Sequence, residues 1–186
     1  TYFHLGNHDK ELECYDKALE INPQSSEALG SKGVTLYRIF EKYEEASKFI
    51  SQALEIKGES NHWQDGWYAL ASVYFTMKRY RDALSAIEKG LRLFSSHTQM
   101  LILKAQILSE LWRQDASYID ETLRFFRFLV ELYPDSPLII SELLHLENQT
   151  NKEAGVRTCL GFVLDNDQID NFLDIVDRLP FSIDDV

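Results

Sequence analysis

Four segments of this chain carry one spacing, and that spacing constrains the fold more than any other feature. In ECYDKALEINP, KFISQALEIKG, SAIEKGLRLFS and RFFRFLVELYP a small or apolar residue stands at the centre: Ala18, Ala53, Gly90 and Leu129. An aromatic or aliphatic residue comes three positions earlier, at Tyr15, Ile50, Ile87 and Phe126. An apolar pair follows in each: Leu19/Ile21, Leu54/Ile56, Leu91/Leu93 and Val130/Leu132. Each segment then meets a residue that stops or punctuates a helix, at Pro23, Gly58, Ser95 and Pro134. The central residues lie 35, 37 and 39 positions apart. A period of that size marks an array of supersecondary units, each too small to bury its own apolar face.

Before each segment except the first runs another amphipathic stretch. EALGSKGVTLYRIF, QDGWYALASVYFTMKRY and QMLILKAQILSELW each have the helical period. The block around Trp67 is the clearest, with Leu70, Ala71, Tyr74, Tyr80, Ala83, Ile87 and Gly90 in register. This spacing resembles the tetratricopeptide repeat, whose pattern reads W-x2-L-G-x2-Y, then A-x3-F, then A, then P. In the first block Tyr2, Gly6, Tyr15, Ala18 and Pro23 fit it. In the second, Leu29, Gly33, Tyr43, Ala46, Ile50 and Ala53 fit, with one extra residue in the turn around Phe40. The fourth departs at its start, where the turn carrying RQDASYID runs about five residues over the family length.

The resemblance covers roughly residues 1–135 and implies an all-α fold, a right-handed α-solenoid of stacked antiparallel helix pairs forming a superhelix. Small residues are expected where paired helices approach: Gly33, Ala71 or Ala105 on the first helix, Ala46 or Ala83 on the second. Residues 136–186 are expected to continue the array as a degenerate helix pair, SPLIISELLHLENQ and NKEAGVRTCLGFVLDN, and an acidic cap. In the cap, DQIDNFLDIVDRL, Ile169, Phe172, Leu173, Val176 and Leu179 share a face, as a terminal element with a polar outer side would require. The first block lacks about ten residues of the repeat length, and there is no initiator Met, so the array is expected to begin before Thr1.

Composition narrows the function classes. Nineteen Lys plus Arg against 30 Asp plus Glu leave a net charge of −11, a poor match to a phosphate backbone, so no nucleic acid is expected. No apolar run reaches the length of about 18 residues that a membrane helix needs. Two isolated cysteines, Cys14 and Cys159, fit a reducing, cytoplasmic setting, with both thiols expected to be buried. His4 and His8 have the i,i+4 spacing of helical metal ligands, but Gly6-Asn7 lies between them at a turn. With no phosphate-loop, zinc-protease or CxxC pattern either, no cofactor, metal or enzymatic activity is expected.

The resemblance further implies that the first helix of each pair lines a concave groove. Carried over by register, Glu27, Ser31, Val34, Tyr37 and Arg38 would face it from the second block. Asp65, Tyr68, Ser72, Phe75 and Thr76 would do so from the third, and Gln99, Ile102, Leu103, Gln106 and Glu110 from the fourth. Ser141, Glu142 and His145 would extend the same face. Tyr68 and Phe75 lie about two helical turns apart on one side, either as anchors for a peptide or as packing against neighbouring repeats. The lysine, asparagine and arginine set with which some members hold a C-terminal carboxylate is replaced here by Gly30, Val34 and Asp65. The expected function is a non-enzymatic adaptor that binds a peptide or protein in the groove. The alternatives are a self-association module, giving a homo-oligomer, and a regulatory segment of a longer protein.

Overall fold

Short apolar-spaced runs separated by Pro, Gly and Ser fold here as successive helices. The structure, a computed structural model, describes residues 8–57 and 63–150. Its helices are α1 (His8–Ile21), α2 (Ser26–Arg38), α3 (Tyr43–Lys57) and α4 (Gln64–Thr76). They are followed by α5 (Tyr80–Leu93), α6 (Thr98–Gln114), α7 (Ile119–Leu132) and α8 (Pro137–Thr150). The described residues contain no strand, and the fold is an all-α helical-repeat solenoid. The chain divides into two compact units, Thr1–Leu111 and Trp112–Val186. NKEAGVRTCLGFVLDN, the expected cap over 167–179, and Tyr2, His4, Gly6, Gly58 and Cys159 lie outside the described residues.

Local chemistry sets the boundaries. α1 stops at Asn22-Pro23, and Ser25 then opens α2 by accepting a hydrogen bond from the Ala28 amide at 3.3 Å. His97 opens α6 similarly, its Nδ1 3.3 Å from the Met100 amide. Within the α2–α3 and α4–α5 pairs the reversal is tight and uses a residue in the left-handed region: Glu41 at φ 52° and Lys78 at φ 58°. That conformation sends the Lys42 amide back to the Leu36 carbonyl (3.0 Å) and the Arg79 amide to the Tyr74 carbonyl (2.9 Å). The connection Ile39–Lys42 is one residue longer than Met77–Arg79, which is the extra residue expected near Phe40. The long RQDASYID turn resolves into an extension of α6 to Gln114 and a 3-10 turn at Ala116–Tyr118, capped by Asp115 on the Ser117 amide.

In the first unit the helices of a pair meet through small residues. A Cβ placed on Gly33 would stand 2.6 Å from Ile50 Cγ1 and 3.1 Å from the Ala46 carbonyl oxygen. Ala46, Ile50 and Ala53 are fully buried, as are Ala71, Ala83 and Ile87. Ala105 does not repeat this role: it is only partly buried, and α6 instead buries Met100, Leu101, Leu103, Ile107, Leu108 and Leu111. Cys14 is exposed rather than buried, because it shares a face of α1 with the exposed Lys10 and Lys17. A contact not foreseen joins successive pairs. The Trp63 ring lies across both Gly30 of α2 and Gly66 of α4, so close that a Cβ on either would fall 2.3 or 2.4 Å from it.

The second unit packs α7 on α8 around Leu123, Phe126, Leu129, Val130, Ile140, Leu143, Leu144 and Leu146, all buried. Arg127 holds the buried Glu147 carboxylate through Nη2 at 2.7 Å and Nε at 2.8 Å. α8 coincides with the expected SPLIISELLHLENQ helix.

Two stability predictions follow from the first unit. Gly33→Ala forces Ile50 aside, and its overpacking cost outweighs the gain in helix propensity, for a net loss of about 1–2 kcal/mol in urea unfolding. Lys78→Gly removes the strain of a left-handed non-glycine residue, and the same measurement should show a gain of about 0.5–1 kcal/mol.

Candidate functional site

α2, α3 and α4 enclose a polar cleft of about 390 Å³. Its walls combine Tyr37 and Arg38 from the end of α2, Glu41 and Tyr43 from the turn and α3, and Tyr68, Ala69, Ser72 and Thr76 from α4. Short reversals at Glu41 and Lys78 fix how these helix ends stand beside one another. The Tyr37 and Tyr43 rings lie 6.0 Å apart at 59°, an edge-inclined pair. Tyr68 stacks on His97 with ring centroids 6.4 Å apart and planes at 24°. Ser72 and Thr76 each donate their hydroxyl proton to a carbonyl of their own helix, at Tyr68 (2.8 Å) and Ser72 (2.9 Å). Their oxygens are left to act towards the cleft as acceptors. The exposed Arg38 supplies charged donors and Glu41 a charged acceptor. The cleft thus offers hydrogen-bond donors and acceptors beside aromatic rings.

The structure thus brings together Tyr37, Arg38, Tyr68, Ser72 and Thr76 of the residues selected from the sequence. It does not bring Phe75 to them, because that ring packs edge-on against Tyr80 at 5.4 Å. Asp65 is exposed in the first turn of α4. Ile102 and Gln106 are exposed on α6, and Glu110 is half-buried there. Ser141, Glu142 and His145 belong to the second unit. Glu41 and Tyr43 were missed, since a turn residue and the first residue of a second helix fall outside a rule that selects first helices. The signal that pointed to them is the extra residue near Phe40, which lengthens the turn carrying Glu41.

Other polar groups hold the fold. Buried Glu11 accepts from the Tyr15 hydroxyl at 2.8 Å and lies 3.1 Å from His8 Nδ1. Burial, followed by the Glu11 carboxylate, raises the Tyr15 pKa above its ordinary value. Among the described residues no three His, Cys, Asp or Glu side chains are placed to hold a metal ion. No described helix is long and apolar enough to cross a membrane.

Comparison with known proteins gives the wider context. The family model for the tetratricopeptide repeat matches residues 1–25 and 64–97. The general transcriptional corepressor trfA of Dictyostelium discoideum is 31% identical over 87 residues, 47% of this chain. The matched stretch is only 6% of the length of that corepressor. Among solved structures, MamA superposes with a TM-score of 0.68 at 13% identity, over 91% of this chain and 94% of its own. YrrB, a TPR protein with an unusual peptide-binding site, gives 0.68 at 20% identity, over 88% and 80%. A tetratricopeptide repeat protein from Parabacteroides merdae gives 0.59 at 17% identity, over 88% and 60%. At these identities the structural likeness concerns the fold.

Proposed function

The chain is a tetratricopeptide-repeat protein, and we propose that it serves as a non-enzymatic scaffold that binds a peptide or protein segment in the cleft between α2, α3 and α4. The observation that carries this reading is the convergence of Tyr37, Arg38, Tyr68, Ser72 and Thr76 on one open cleft. Three tyrosines give broad contact area at low entropic cost, while the Ser72 and Thr76 oxygens and the Arg38 guanidinium give hydrogen-bond partners to an extended backbone. The similarity to YrrB, described as having a peptide-binding site, supports the same class of ligand. The lack of a catalytic pattern in the sequence supports a binding role over an enzymatic one. A second reading makes the repeats the recruiting segment of a longer protein, for which the similarity to part of the Dictyostelium corepressor speaks.

Peptides selected on the wild-type chain by phage display and measured by calorimetry test the cleft directly. Tyr68→Glu and Arg38→Glu should each weaken binding by roughly tenfold or more, with the helical circular dichroism unchanged. Selected peptides that bind both variants as tightly as the wild type would place the site elsewhere.

A further inference from the structure

On the other side of α4 lies a larger groove, of about 590 Å³, walled by α3 and α5. Its floor is apolar: Leu54, Leu70 and Ala86 are buried there, with Trp67 and Tyr74 partly so. Leu93 forms an exposed rim, and Ser51 and Ser85 put a hydroxyl on each wall. None of these residues belongs to the cleft described above, and the volume is that of a ligand site rather than a packing defect.

Four charged side chains line this groove, the carboxylates Glu55 and Asp82 and the cations Lys89 and Arg92. Asp82 is engaged by Arg79 at 2.7 Å, a hydrogen bond that raises the guanidinium pKa further above its ordinary value. Elsewhere in the first unit Lys32 meets Asp16 and Lys104 meets Glu88. Lys89 and Arg92 also line the groove and are exposed, yet neither forms an ion pair with a described carboxylate. They stand three residues apart on α5, so their side chains rise from the same face. Lys89 Nζ lies 6.0 Å from the centre of the Trp67 ring. Trp67 Nε1 is buried without a hydrogen-bond partner among the described residues, a donor on a side chain that lines the floor. The opposite wall contributes Glu55. On a chain of net charge −11 this is a local cationic pair beside an apolar trough.

We propose that the α3–α5 groove is a second docking site whose occupant is an acidic peptide segment of a partner protein. Its aliphatic side chains lie on Leu54, Leu70 and Leu93, and a carboxylate sits between Lys89 and Arg92. A basic segment would meet that pair with repulsion and find only Glu55 unengaged by a cation. A wholly apolar segment would leave the pair with no counter-charge beyond Glu55 on the opposite wall. Two faces then bind two chemistries: tyrosine-rich and mixed in charge on one side of α4, apolar and cation-flanked on the other.

Fluorescence anisotropy with a labelled short peptide of Asp and Leu tests this, beside matched peptides carrying Asn or Lys in place of Asp. The acidic peptide should bind, more weakly as salt is raised, and better than the other two. Lys89→Glu/Arg92→Glu should lose roughly tenfold or more of that affinity, while Tyr68→Glu leaves it unchanged. Both replaced residues are exposed, and circular dichroism checks that the double variant keeps its helices. The proposal is overturned if the acidic peptide fails to bind, if the Lys peptide binds as well, or if the double variant binds normally. Loss of binding in Tyr68→Glu would also overturn it, by assigning the peptide to the other cleft, whose own test uses independently selected ligands.

Discussion

Backbone approach within a helix pair is the constraint on which the rest of the first unit depends. Gly33 leaves the space that Ile50 fills, and the Ala46 carbonyl passes within 3.1 Å of where a side chain would begin. Ala71 and Ala83, both fully buried, are the small residues of the next pair. Once the two axes are that close, large side chains can only fill the flanks. Ile50 and Ile87 do so with no exposed surface. The reversals between helices must then be tight, which is why non-glycine residues are held in the left-handed region at Glu41 and Lys78. The polar cleft inherits its geometry from these reversals, because Tyr37, Arg38, Tyr43 and Thr76 all sit at helix ends beside them.

Much of this could be read from spacing. Gly33, Ala46, Ile50, Ala83 and Ile87 announce themselves because burial and period coincide at one residue, and the extra position near Phe40 is visible as a slip in the count. Ala105 misled, since a small residue in register signals close approach only if its neighbours leave no other way to pack. Here Leu101, Leu108 and Leu111 provide one. Cys14 misled because the hydrophobic character of a thiol is weak beside the polarity of the α1 face that carries it. Phe75 was in register with Tyr68, but register fixes only a direction from the axis, and the ring turned to the nearest aromatic partner, Tyr80. The Trp63 contact was out of reach for a different reason. It depends on two glycines 36 positions apart meeting a residue that belongs to neither helical pattern.

The two sides of α4 illustrate how a repeat scaffold separates tasks. A helix that contributes Tyr68, Ser72 and Thr76 to one cleft contributes Trp67, Leu70 and Tyr74 to the groove behind it. The helical period supplies this division directly, because adjacent positions point about 100° apart. Substitutions on one face therefore leave the other chemically intact so long as the buried Ala71 and Val73 between them keep their packing.

Trp63 also bears on how the array comes apart. In a stack of repeats each unit touches only its neighbours, and its opening is governed by its own stability plus a term for each shared boundary. A ring lodged against Gly30 on one side and Gly66 on the other adds to that boundary term, beside the packing of α3 on α4. Neither hairpin can loosen there without uncovering the indole for the other. The α2–α3 and α4–α5 hairpins are thereby tied into one cooperative block rather than two links of a chain.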